Sequence, residues 1–297
     1  MTATTTPLVP PAALEGTTPP PRRRQRRISG RALTFIVLGL GLLVWLVPFV
    51  WMALGSVKTQ SEILQKPPTW WPENPTGENF AQWFGPLNFG TFFANSVIVA
   101  VITVLGNIVF CSMVGYALAK LDFPGKKILF TLVMVTLMVP GVVTFVPLFV
   151  MVSKLGLVNT YAALILPFIT APIGVFLMRQ FILGIPDALI EAARIDGAGE
   201  FRIFARIVMP LCGPPLATLG ILTFLASWNN FLWPLVAAQS ESKYTLPVAL
   251  SLYSTGQNAT NYGILLAGSV LVITPILALF VLLQRYFIRG VATAGLK

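Results

Sequence analysis

The chain has no histidine, two cysteines and only ten acidic residues among 297. Without histidine it lacks the commonest general acid–base group near neutral pH and the commonest metal ligand. Cys111 and Cys212 each sit in an apolar stretch. They are expected as small buried core residues, and neither a disulfide framework nor a metal site follows from them. No GxxxxGK[ST] string occurs, so the chain carries no phosphate-cradling loop for a nucleotide. Charged residues make up 10% of the chain, against roughly 25% in soluble domains. That is too little charge to cover the surface of a soluble protein. With 56% hydrophobic residues, lipid is the expected solvent for much of the molecule.

Long apolar runs are what the sequence has in abundance. Six of them can cross ~30 Å of hydrocarbon at ~1.5 Å per residue. They cover about residues 32–54, 91–119, 128–152, 161–183, 211–238 and 262–286, and none contains Asp or Glu. The expected fold is an all-α membrane protein with six transmembrane helices over residues 32–289. Residues 1–31 are rich in Thr, Pro and Ala and end in an arginine cluster; they are expected to form a disordered basic cytoplasmic tail. The first run, at about 23 residues, is too long for a signal-peptide core and is expected to be an anchor helix. Residues 290–297 are expected as a short cytoplasmic tail. Pro48, Pro140, Pro147, Pro167, Pro172 and Pro275 fall inside the runs. Prolines there are tolerated where neighbouring helices or a water-filled cavity satisfy the freed carbonyls.

The net charge of +10 superficially suggests a nucleic-acid partner, but the basic residues flank apolar runs as positive-inside flanks do. No nucleic-acid partner is expected. With both termini inside, the inner segments hold 16 Lys and Arg and the outer segments hold 4, namely Lys58, Lys66, Lys154 and Lys243. That bias favours this orientation. Trp70, Trp71 and Trp83 fall in outer segments and are expected as interfacial anchors.

One soluble-looking segment, residues 185–210, lies between the fourth and fifth runs. Pro186 suits a helix start and Asp187 its first turn. Leu189, Ala192, Ala193 and Ile195 can share an apolar side, while Glu191 and Arg194 can pair on the polar side. Gly197 suits a left-handed cap after Asp196. A second short helix is expected from Glu200 to Met209, with Phe201, Phe204 and Val208 in one stripe and Pro210 as its stop. Such a knob can lie on lipid headgroups. Its small Ala192–Ala193 face beside a glycine hinge also suits docking into a protein groove.

The string Glu191-Ala192-Ala193-Arg194-Ile195-Asp196-Gly197-Ala198, closed by Pro210, resembles the signature loop of ABC importer permeases. The stretch from Thr223 to Leu235, which includes Ser227-Trp228-Asn229-Asn230, is similar to the carbohydrate branch. So are Tyr244-Thr245-Leu246-Pro247-Val248 and the closing residues 290–297. The resemblance is strongest to the six-span partner of the maltose-type heterodimer and covers nearly all of the chain after Arg31.

The resemblance implies the type I importer permease fold in the plasma membrane of a bacterium. It also implies a second permease subunit, a cytoplasmic ATPase dimer carrying ATP and Mg, and an extracytoplasmic sugar-binding protein facing residues 239–261. No cofactor is expected on this chain itself. The coupling loop would dock on the ATPase through Glu191, Ala192, Ala193, Asp196 and Gly197. Asn107, Trp228, Asn229 and Asn230 are the candidates to line a sugar path. Asn230 stands where relatives often carry an acid, and Ala198 stands where a helix-capping Ser is common, which leaves Asp196 or Gly199 to cap the second helix. The rivals are an intramembrane enzyme, an ion-coupled secondary transporter and a membrane-anchored scaffold or receptor. The first two are disfavoured by the absence of acidic residues from the runs.

Overall fold

The computed structural model describes residues 28–255 and 260–294, with side chains placed for residues 32–255 and 260–282. The arginine-rich tail expected at the N-terminus, up to residue 27, lies outside the described residues, as do residues 295–297. The chain divides into two units at Pro48. The first is most of one helix, α1 (Ile28–Gly55), which runs through Pro48 without interruption. Its sequence is apolar on every side from Phe35 to Val47, as suits a membrane-spanning helix.

The second unit is built on α2 (Phe89–Lys120), a helix of 32 residues and therefore about 48 Å long. One stripe of α2 is buried and made of small or polar residues, among them Ser96, Ala100, Thr103, Asn107, Cys111 and Gly115. Lipid tails are as apolar as leucine, so helices in a membrane associate by close packing at small residues. A Cβ at Gly115 would lie 2.9 Å from Met178 Cβ, and one at Gly106 would lie 2.2 Å from Ile169 Cγ1. The stripe thus admits α5 (Tyr161–Ile165, continued as a 3-10 turn to Phe168) and α6 (Pro172–Leu183). These two together occupy the fourth apolar run, bent by 42° between Phe168 and Pro172.

The third and fifth runs are not the single helices their length suggests. The third splits into α3 (Lys126–Met138) and α4 (Gly141–Lys154), which meet at 105°. Pro140 disfavours helix at the residue before it, and Val139 is extended, with φ −82° and ψ 118°. Between α6 and the fifth run lie α7 (Asp187–Ile195) and a helical segment, α8 (Glu200–Leu211). Five residues of α8, Phe204–Val208, are π-helical. Pro210 falls inside α8 and does not stop it; the chain bends by 82° only at Cys212, before α9 (Gly213–Trp228).

The fifth run then breaks at Asn229–Phe231 and resumes as α10 (Leu232–Ala237). Pro234 has no N–H for the Asn230 carbonyl four residues back, and asparagine side chains compete for backbone partners. The segment 239–261, expected as an outer loop, contains α11 (Leu246–Ser254), with Leu246, Val248 and Ala249 buried. The last helix, α12 (Tyr262–Ala294), passes Pro275 and extends into the expected C-terminal tail.

The core lies in three clusters, one at each end of α2 and one beside its N-terminal half. At the N-terminal end of α2, Trp83 is fully buried with Phe92, Trp228 and Ala267. Its indole N–H donates to the Ile264 carbonyl at 3.0 Å. Trp83 is therefore a core residue, not an interfacial anchor, whereas Trp71 is 75% exposed.

Candidate functional site: an uncharged cavity and a two-helix loop

A cavity of about 310 Å³ opens between α2, the bent α5–α6 pair and α9. No charged residue lines it. Its polar groups come from Thr103, Asn107, Thr170, Thr223, Ser227 and Asn230. Thr103 and Asn107 are one helical turn apart on α2, as are Thr223 and Ser227 on α9, so each helix turns a short polar stripe inward. The Thr103 hydroxyl oxygen is buried without a hydrogen-bond partner. A buried hydroxyl left unpaired is costly.

The four expected path residues separate. Asn230 lines the cavity, and its Oδ1 accepts weakly from the Trp233 N–H at 3.4 Å. Asn229 is exposed and donates back to the Leu225 carbonyl at 3.0 Å. Asn107 borders the cavity, but its amide is fully used. It donates to the Thr103 carbonyl at 3.0 Å and the Phe168 carbonyl at 2.7 Å, and it accepts from the Ala171 N–H at 2.8 Å. It staples the break between α5 and α6. Trp228 is 2% exposed, stacked on Phe224 with ring centroids 5.4 Å apart, and it donates to the Val272 carbonyl at 3.1 Å. Neither face of its ring reaches the cavity. Thr103, Thr170, Thr223 and Ser227 were not among the expected residues, although the four-residue spacing of Thr223 and Ser227 within one apolar run was a readable signal.

The two-helix loop is fixed at the C-terminal end of α2. Gly197 has φ +76°, its N–H donates to the Arg194 carbonyl at 3.0 Å, and the Ala198 N–H donates to the Ala193 carbonyl at 2.9 Å. This pair of bonds is a Schellman cap, with Asp196 exposed at the end of α7. Gly199 occupies the cap position of α8 and, having no side chain, leaves its first N–H groups without a side-chain partner.

Arg194 pairs with Glu200 at 2.7 Å, not with Glu191 as expected, so it bridges the two helices. Glu191 is exposed. The expected Ala192–Ala193 face is divided. Ala193 is buried with Ile190 against the protein's own bundle, while Ala192 looks outward beside Leu189, 47% exposed, and Ile195, 86% exposed. Phe201 on α8 is 72% exposed. Lys120, by hydrogen bond and charge, holds the Asp187 carboxyl below its ordinary range, and Arg194 followed by Tyr116 does the same for Glu200. Both are ionised at neutral pH. Their contribution is lost only as pH falls through those lowered values.

A multi-pass helical bundle with an uncharged inner cavity and a two-helix loop fixed at one end defines a membrane-transport subunit. The chain belongs to the binding-protein-dependent transport system inner membrane component family, whose profile matches residues 112–293. It is 46% identical over 253 residues to the arabinooligosaccharides transport system permease protein AraQ of Halalkalibacterium halodurans, covering 84% of this chain and 90% of that one. Identity to AraQ of Bacillus subtilis is 42% over 271 residues, covering 90% and 95%. Among solved structures, a bacterial ABC transporter involved in import of the acidic polysaccharide alginate superposes with a TM-score of 0.78. That match covers 91% of this chain and 100% of the other at 24% identity, and it shares the permease fold.

Proposed function

We propose that this chain is one transmembrane half of an ATP-driven importer, that its cargo is an uncharged oligosaccharide, and that the loop of α7 and α8 receives the drive. The observation that carries this reading is the division of α7 into two faces. Ile190 and Ala193 anchor it to the bundle, while Leu189, Ala192 and Ile195 present an apolar outer face with the Glu191 carboxylate beside it. An exposed apolar helix face rimmed by charge is the form of a groove-docking element. Its partner is a cytoplasmic ATPase dimer that holds ATP and Mg. A second permease subunit completes the pathway, and an extracytoplasmic sugar-binding protein delivers the cargo at the end that carries α11. Both termini lie on the cytoplasmic side. The cavity supports an uncharged cargo, since its hydroxyls and amide can exchange hydrogen bonds with sugar hydroxyls and no cation is there to hold an anion. The AraQ relatives are named for arabinooligosaccharide transport, which makes arabinotriose the first probe.

The test is uptake of labelled arabinotriose into vesicles containing the assembled transporter. Uptake is expected only with ATP on the loop side and binding protein on the other. Uptake driven by a proton or sodium gradient without ATP would overturn the reading.

A further inference from the structure

Two side chains one turn apart on α2 tie its C-terminal end to the loop. Lys120 Nζ donates to the Ile185 carbonyl at 2.6 Å and meets the Asp187 carboxylate at 2.5 Å. The Lys120 side chain is only 5% exposed, so its charge is removed from bulk water and depends on those two oxygens. Four residues earlier, the buried Tyr116 donates its hydroxyl to Glu200 Oε2 at 2.6 Å, while Arg194 Nε donates to Oε1 of the same carboxylate at 2.7 Å. Asp187 opens α7, Arg194 lies in its last turn, and Glu200 opens α8. Beneath these ties, Tyr116 and Leu118 share an apolar cluster with Ile190, Ala193, Ile203 and Phe204.

One tie would leave the loop free to swivel. Two directional ties about 6 Å apart along the helix axis resist both swivel and slide. Their far end reaches the candidate cavity, because α2 runs on from Tyr116 for about 20 Å to Thr103 at the cavity wall. The neighbouring α6 is carried along. It is locked at Gly115 by backbone contact, and Arg179 Nε donates to the Leu118 carbonyl at 3.2 Å.

We infer that Tyr116 and Lys120 are positioning residues that make the loop and α2 one rigid body, so that a push on α7 moves the cavity wall directly. The inference rests on the reading of the loop as the docking element for an ATPase. It differs from that reading in saying where the push goes inside this chain.

The experiment uses the assembled transporter with spin labels on Ala188→Cys and Val109→Cys, both at exposed positions; the native cysteines are buried. The label-to-label distance is expected to stay constant between the nucleotide-free and the ATP–vanadate states. A shift in that distance would overturn the inference. A separate label on Ile195→Cys reports the underlying reading. It should be immobilised when the ATPase is bound, and a label that stays mobile would remove the docking premise itself. Replacing both ties, Tyr116→Phe with Lys120→Met, should broaden the Ala188–Val109 distance distribution. It should also lower arabinotriose transported per ATP hydrolysed by about tenfold, the effect of about 1.4 kcal/mol of lost coupling. Lys120→Arg should recover part of the ratio lost in Lys120→Met. An unchanged ratio in the assembled double variant would refute the assignment, and the label distance in the otherwise unaltered protein decides the matter even where that variant fails to assemble.

Discussion

Asn107 has no exposed surface and both ends of its amide are engaged, so its removal leaves identifiable orphans. In Asn107→Leu, the Ala171 N–H and the Phe168 carbonyl lose their side-chain partner. Each buried unpaired group costs about 1–3 kcal/mol. The expected outcome is a melting temperature several degrees lower in detergent, measured by tryptophan fluorescence; an unchanged midpoint would show the staple to be dispensable. The sequence makes Asn107 conspicuous as an amide in an apolar run, and that much was legible. Its partners lie 61 and 64 residues away, across a break whose location depends on how α5 meets α2, and no local pattern discloses them. Trp228 raises the same difficulty. An aromatic ring beside two asparagines suggests a sugar platform, yet Phe224 one turn earlier already occupies its face. The hydroxyls of Thr223 and Ser227 were legible by their four-residue spacing, whereas Thr103 has no such hydroxyl partner in its run and single Thr residues are common in membrane helices.

Breaks and caps decide what each element can do, and they were unequally legible. Pro48 and Pro275 lie inside continuous helices, whereas Pro140 sits at a 105° elbow. The difference is in the neighbours, since Gly141 follows Pro140 and offers no side chain to resist the bend. Run length alone hid this, as it hid the break at Asn229. Gly197 was plain in the sequence because the helical pattern of α7 ends there and the preceding Asp196 suits a cap. Its φ of +76° disfavours any side chain, although a Cβ would meet nothing within 4 Å. Gly197→Val therefore strains only the turn, by about 1–2 kcal/mol, and leaves the bundle untouched. The expected phenotype is normal insertion with reduced arabinotriose uptake per ATP, because α8 is re-aimed relative to α7. Wild-type uptake with the variant fully inserted would show that the turn angle does not matter.

Side-chain ties between loops sort the second unit into two ends. At one end Asn159 Oδ1 accepts from the Gln239 and Ser240 N–H groups, Gln60 bonds the Tyr262 and Thr260 backbone, and Asn95 reaches Ser242 and Tyr244. At the other end Lys120 meets Asp187, and Tyr116 meets Glu200. Loops tied at the same end must be separated by an even number of crossings. The ties therefore require that α2, the bent α3–α4 pair, the α5–α6 pair and α9–α10 each carry the chain from one end to the other, even where the helix is broken. The Lys and Arg count of 16 against 4 rests on the same alternation of runs and adds an expectation the contacts do not address, namely which end faces the cytoplasm. Together they set a sharp expectation for the α3–α4 elbow, the segment whose shape departs furthest from a straight span. Lys127 at its start and Lys154 at its end are both exposed. With Lys127→Cys, a membrane-impermeant maleimide should react only from the cytoplasmic face, and with Lys154→Cys only from the outside, while the buried native cysteines stay silent. Reaction of both from one face would mean that the elbow dips into the bilayer and returns, and the orientation of every later helix would then be reversed.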